Sequence, residues 1–199
     1  MADCPAIFLD RDGVLIHEVC YLSDLREIRM YEDVPSGLKR LKRSGYKLIV
    51  ITNQSGVARG YFRESFVHRS FEKINRILAQ DCVQLDAMYY CPHHPDGRRP
   101  YKIRCDCRKP EPGMIRAARR EHNIDLARSY MLGDKVCDIE LALNANVKGI
   151  LLETGFGSQQ SARVGSRFPK TPIFPNFSQA VNFILKETQP LDGANGKGS

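Results

Sequence analysis

Short apolar runs that alternate with longer stretches of helical periodicity constrain this chain more than any other feature. Ala6–Leu9, Tyr46–Thr52, Ala87–Tyr90, Tyr130–Leu132, Lys148–Leu152 and Pro172–Phe174 have the length and composition of strands. Near-continuous apolar strands are covered on both faces, and strand–helix alternation joins neighbouring strands in parallel. The pattern predicts an α/β fold, a doubly wound and mostly parallel sheet between two layers of helices.

Local signals place the helices. Asp33-Val-Pro-Ser predicts a helix start, with Asp33 as N-cap and proline in the first turn. Val34, Leu38 and Leu41 give its apolar stripe, and Gly45 ends it. Ser65 is predicted to cap a helix carrying Phe66, Ile74, Ile77 and Leu78 at near-helical spacing. Further helices are predicted near Gly113–His122, over Val136–Ala145 and over Ser178–Lys186, whereas Cys91–Pro112 and Ser158–Lys170 read as irregular.

The 199 residues, 42% of them hydrophobic, are enough for one domain with a real core, expected over residues 1–188. The Gly-rich polar tail 189–199 is expected to be disordered. No apolar run approaches the roughly 20 residues of a membrane span, and the N-terminus has no positively charged leader. A soluble, cytoplasmic, monomeric protein with neither membrane nor nucleic-acid partner is expected. Seven cysteines in such a chain point to thiols or metal ligands rather than disulfides.

Three polar clusters follow predicted strands: Asp10-Arg-Asp12-Gly13, Thr52-Asn53-Gln54-Ser55 and Gly133-Asp134-Lys135. Ligands of open parallel sheets bind beyond the carboxyl ends of the strands, so the topology can gather all three clusters at one rim. Singly, each residue has an ordinary explanation as a turn, a helix cap or a solvated charge; jointly they suit phosphoryl transfer. An aspartate nucleophile splits hydrolysis into making and breaking an aspartyl phosphate, and a second carboxyl serves as acid and base. Mg²⁺ needs one or two carboxylates besides waters and phosphate oxygens, which Asp10 and Asp134 supply. A hydroxyl such as that of Thr52 and a lysine stabilise the equatorial oxygens. Crowding of Asp10 against Asp12 is expected to keep the acid protonated.

Cys91-Pro-His93 and, eleven residues on, Cys105-Asp-Cys107 offer three thiolates and an imidazole, a closed tetrahedral set for structural Zn²⁺. His94 is the adjacent competitor for the imidazole place. Such a metal would staple a polar loop that buries no core, and it would fix Arg108 and Lys109 just beyond Cys107. The net charge of +7 is concentrated here: nine basic residues against three acidic ones lie between Asp96 and Arg120, as an anion-attracting site requires.

Asp10-Arg-Asp-Gly, Thr52-Asn-Gln, Arg108-Lys109-Pro110 and Gly133-Asp134-Lys135 resemble the four motifs of the haloacid dehalogenase (HAD) superfamily of phosphatases. The resemblance implies a HAD-like, Rossmann-type three-layer sandwich. It assigns Asp10 as nucleophile, Asp12 as acid/base, and Thr52 and Lys109 as phosphoryl stabilisers. Mg²⁺ would be held by Asp10, the backbone carbonyl of Asp12, and Asp134.

Phe8-Leu-Asp-Arg-Asp-Gly13, Thr52-Asn-Gln-Ser-Gly-Val-Ala-Arg-Gly60, Tyr89-Tyr-Cys-Pro-His-His-Pro95 and Cys105-Asp-Cys-Arg-Lys-Pro110 further resemble the bacterial D-glycero-D-manno-heptose 1,7-bisphosphate phosphatases of lipopolysaccharide and S-layer precursor synthesis. This implies no large cap domain, a zinc-stapled loop with His93 as its imidazole, and removal of the C7 phosphate from a sugar bisphosphate. Substrate contacts would come from Glu18, Val19, Cys20, Tyr21, Thr52, Asn53, Gln54, Ser55, Arg108, Lys109 and Lys135. In one departure, Cys20 stands where that family has glycine. Histidinol-phosphate phosphatase is the nearest alternative. A phospho-accepting receiver domain would instead carry its aspartate after the third strand, and a zinc-stabilised nucleic-acid binder would need neither Asp-x-Asp nor Gly-Asp-Lys.

Overall fold

A computed structural model gives the fold of residues 3–188. The tail expected to be disordered lies outside these described residues. Six strands, β1 (Ala6–Leu9), β2 (Lys47–Asn53), β3 (Ala87–Cys91), β4 (Tyr130–Gly133), β5 (Lys148–Leu152) and β6 (Ile173–Phe174), form one sheet in the order β3-β2-β1-β4-β5-β6. Every pairing is parallel, with Ile7 opposite Leu48 and Tyr130.

Side chains along β1 alternate between two cores, as the period of a strand demands. Ile7 and Leu9 pack with α1 (Val34–Arg43), α3 (Glu64–Ala79) and α7 (Phe177–Thr188); α2 is the short helix Gly56–Arg59. Ala6 and Phe8 pack on the opposite face with α4 (Gly113–His122) and α5 (Val136–Asn144). The predicted three-layer arrangement is the one found. Among the described residues no large cap domain is inserted.

Three local expectations are corrected. Asp33 makes no side-chain cap to α1; its Oδ2 accepts from the Ser178 N–H at 2.8 Å, joining α1 to the first turn of α7. Ser65 does not cap α3, which starts one residue earlier after extended Arg63. The stretch 158–170 is no loop, because α6 spans Gly157–Arg167. Its polar sequence hides it, since Val164 alone supplies the apolar contact, packing with Val136, Ile139 and Leu151. Arg167 adds an ion pair to Glu140 at 2.7 Å.

After β1 the chain winds outward on one side through β2 and β3, then returns to build β4, β5 and β6 on the other. The reversal opens a crevice at the carboxyl ends of β1 and β4, where such sheets hold their ligands.

Candidate active site

Asp10 leaves β1 at this crevice, with its N–H donating to the Leu132 carbonyl of β4 at 3.0 Å. Asp134 follows β4, Thr52 lies near the end of β2, and Asp138 projects from the first turn of α5. Carboxylate oxygens of Asp10, Asp134 and Asp138, all buried, lie within 4.8 Å of one another. Asp10 comes after the first strand, not the third, which is the reverse of the receiver arrangement.

Two ammonium groups offset the three acids. Lys109 Nζ lies 2.9 Å from Asp10 Oδ2 and 2.7 Å from Asp138 Oδ1, and donates to the Ile51 carbonyl at 3.1 Å. Asn53 fixes the lysine backbone by accepting from Lys109 N–H at 3.0 Å and donating to its carbonyl at 3.2 Å. Lys135 Nζ sits 3.3 Å from Asp134 Oδ1 and 3.1 Å from Glu18 Oε2.

Burial would raise the Asp10 carboxyl, but Lys109 and Lys135, with the Arg11 N–H at 2.7 Å, hold it below its ordinary value. Asp10 is thus the ionised member, as a nucleophile must be. Asp134 is pushed the other way, to about 7, by burial and by the Asp10 charge. Burial raises Asp138 as well. The ammonium of Lys109 is held above its usual value: burial opposes its charge, and Asp10 and Asp138 outweigh the burial.

The expected crowding of Asp12 against Asp10 is not what this geometry shows. Asp12 turns to the guanidinium of Arg11, which is almost fully buried and pairs with it through Nε at 3.1 Å and Nη2 at 2.8 Å. Gln54 donates to Asp12 Oδ2 at 3.1 Å and to Thr52 Oγ1 at 2.9 Å. Asp134, not Asp12, is the acid crowded by Asp10.

The donor set fits Mg²⁺. It is all oxygen, as a hard cation prefers, and Asp134 Oδ1 is buried with no well-directed hydrogen bond. Backbone approach is also close: Gly13 lies in the left-handed region at φ 82°, and a Cβ there would run into the Asp134 carboxylate. The turn after Asp12 therefore needs glycine to bring that backbone against Asp134.

A cavity of about 290 Å³ opens over Asp10. Its lining includes Asp10, Asp12, Glu18, Cys20, Tyr21, Thr52, Asn53, Gln54, Ser55, Arg108, Lys109 and Lys135, so the structure gathers the predicted substrate residues around one space, apart from Val19. Val19 is 37% exposed outside it. Cys20 and Tyr21 have φ of 46° and 70°, a left-handed pair that explains why glycine suits position 20.

Beside the cavity, Cys91, His93, Cys105 and Cys107 converge. Sγ–Sγ separations are 3.5, 3.3 and 3.1 Å, and His93 Nδ1 is 3.3 Å from Cys107 Sγ. These are edges of a small tetrahedron of soft donors, the shape zinc takes. His94 points elsewhere, its Nδ1 accepting from the Asp96 N–H at 3.1 Å and its Nε2 lying 3.4 Å from Arg59. The loop then delivers Arg108, whose Nη1 donates to the His93 carbonyl at 3.1 Å, and Lys109.

Sequence reading missed Asp138. Placed four residues after Asp134, it passes for an ordinary helix residue. The available signal was an acid at the third position of a helix whose start carries no Ser, Thr, Asp or Asn cap; there its Oδ2 accepts from the Lys135 N–H at 3.0 Å.

An ionised aspartate beside a buried lysine, at the switch point of a parallel sheet and next to further acids, defines a HAD-like hydrolase. Residues 106–180 match the HAD-hydrolase-like family model. The chain is 39% identical to the D-glycero-beta-D-manno-heptose-1,7-bisphosphate 7-phosphatase of Escherichia coli K12, over 96% of this chain and 93% of that protein. It is 45% identical to the enzyme of the same name from Haemophilus influenzae, over 75% and 82%. Among solved structures, the D,D-heptose 1,7-bisphosphate phosphatase of B. bronchiseptica, complexed with magnesium and phosphate, superposes with a TM-score of 0.82 at 32% identity, covering 92% of this chain and 99% of that one. The chain belongs to the heptose-1,7-bisphosphate 7-phosphatase family of HAD-like hydrolases.

Proposed function

We propose that this protein is a Mg²⁺-dependent phosphatase that removes the C7 phosphate of D-glycero-D-manno-heptose 1,7-bisphosphate, in the supply of activated heptose for lipopolysaccharide or S-layer glycans. The observation that carries the chemistry is the buried Asp10–Asp134–Asp138 group with Lys109 set between Asp10 and Asp138. The substrate follows from the names of the full-length relatives.

In this reading Asp10 Oδ attacks phosphorus while the bond to the C7 oxygen breaks. Asp12, which pairs with Arg11 in this structure, would leave that pairing to give a proton to the departing oxygen and later take one from the water that cleaves the aspartyl phosphate. Lys109 and Thr52 steady the equatorial oxygens, and Lys109 keeps Asp10 ionised between attacks. Asp10, the Asp12 carbonyl and Asp134 would hold Mg²⁺, which supplies charge neutralisation at the phosphoryl group. Arg108 and Lys135, which line the cavity, would meet the remainder of the bisphosphate. Zn²⁺ in the Cys91–His93–Cys105–Cys107 set is structural. The catalytic unit is residues 1–188, acting as a soluble cytoplasmic monomer on a small molecule. No helix of the described residues is long and apolar enough to cross a membrane.

The test is phosphate release from both anomers of the heptose bisphosphate, histidinol phosphate and simple sugar phosphates, with and without Mg²⁺, beside Asp10→Asn. A Mg²⁺-dependent preference for a heptose bisphosphate, abolished in the variant, is expected. Equal rates across the panel would overturn the substrate, and an active variant would overturn the chemistry.

A further inference from the structure

The cavity is charged at its floor and aromatic at its mouth. Tyr21 lines the mouth and is 44% exposed; Tyr61, 57% exposed, meets it edge-on with ring centroids 4.8 Å apart. Two adjacent tyrosine rings left this open to water contribute little to the core and are instead available to a ligand.

Both rings are held in place. The left-handed backbone at Cys20 and Tyr21 carries a steric cost for residues other than glycine, and the segment keeps it. Glu18 Oε1 accepts from the Cys20 N–H at 2.8 Å, while Glu18 Oε2 meets Lys135, so this turn is tied to the catalytic floor. Tyr61 follows Gly60, the left-handed end of α2, and its N–H donates to the Gly56 carbonyl at 2.9 Å. The Arg59 guanidinium lies 6.0 Å from the centroid of the Tyr21 ring. Tyr21 is thus braced by the edge contact of Tyr61 and by a cation from the same short helix.

We propose that Tyr61 is a specificity-determining residue, which braces Tyr21 at the cavity mouth so that the Tyr21 ring receives the carbohydrate part of the substrate. This rests on the proposed sugar bisphosphate activity. A bound sugar presents C–H faces as well as hydroxyls, and an aromatic ring takes the C–H face. A small phosphorylated compound with no sugar, such as an acyl phosphate, reaches Asp10 without touching the mouth. Tyr61 acts through Tyr21, so it is a positioning residue and its removal shows in substrate discrimination, not in the phosphoryl step.

The experiment compares wild type, Tyr61→Phe and Tyr61→Ala on the heptose bisphosphate and on acetyl phosphate, with melting curves for each protein. Aromatic pairs contribute enough that Tyr61→Ala is expected to raise KM for the heptose bisphosphate about three- to tenfold, with kcat nearly unchanged. Its kcat/KM for acetyl phosphate should match wild type, and Tyr61→Phe should behave as wild type on both substrates. An equal loss on the two substrates would make Tyr61 merely structural and overturn the proposal, as would an unchanged KM for the sugar. Wild type that hydrolyses acetyl phosphate but not the heptose bisphosphate overturns the substrate reading itself, and the inference with it.

Discussion

At Lys109 one buried ammonium meets Asp10, Asp138 and the Ile51 carbonyl, so its removal takes from two buried carboxylates their nearest counter-charge and leaves only the more distant Lys135. Breaking a buried pair from one side costs more than the pair contributes. Lys109→Met should lose turnover and, with the metal chelated, lose about 3–5 kcal/mol in urea unfolding; unchanged stability would mean that the carboxylates find compensation elsewhere. At Cys20 the argument runs the other way. Relief of a left-handed Cβ outweighs the extra freedom that glycine brings to the unfolded chain, so Cys20→Gly should stabilise by about 0.5–1 kcal/mol. A lower urea midpoint would contradict this. Both residues also show what single positions disclose. Asp10, Thr52, Lys109 and Asp134 were legible because each sits in a short string at a strand end or beside paired cysteines. Asp138 and the pairing of Arg11 with Asp12 were not, because burial and side-chain direction depend on packing that no local string encodes.

Among the elements, α3 and the cysteine loop are joined by one carboxylate. Glu64, in the first turn of α3, accepts from Tyr90 and Tyr101 hydroxyls, each at 2.6 Å. Those hydrogen bonds, from Tyr101 foremost and then from Tyr90, hold its carboxyl below the ordinary value of 4.5. The folded pKa lies below the unfolded one, so ionised Glu64 stabilises the fold above the unfolded value, and the contribution is lost as pH falls through the folded value. Glu64→Gln should therefore be less stable than wild type at about pH 7, with the gap narrowing as pH falls below the ordinary value of 4.5; a gap independent of pH in urea unfolding would exclude this carboxylate as the cause. Helix α1 was legible from its apolar stripe and its proline, although Asp33 serves α7 rather than its own helix. Helix α6 was not, because eleven residues with one buried aliphatic give no stripe to read. Its placement comes from Val164 against α5 and β5, and from Arg167 against Glu140.

Across the whole molecule, strand order and the cysteine loop together set the chemistry. The alternation of apolar runs made a parallel sheet legible, but not the order in which its strands lie, and that order is what brings Asp10 against Asp134. The cysteine loop is a second long-range constraint: it spans Cys91 at the end of β3 to Cys107, and Lys109 lies two residues beyond. With few apolar side chains to bury, this loop depends on its four soft donors for order, and a lysine two residues away inherits that order. Removing zinc should then cost activity although Asp10 and Asp134 are untouched. A chelator selective for zinc over Mg²⁺ is expected to lower the melting temperature, to raise hydrogen exchange across residues 92–112, and to abolish turnover. Added Mg²⁺ should not restore turnover, and added Zn²⁺ should. Metal analysis of the untreated protein should find about one zinc per chain. Full turnover by zinc-free protein would separate the loop from the catalytic lysine and leave Asn53, which grips both backbone groups of Lys109, as sufficient to place it.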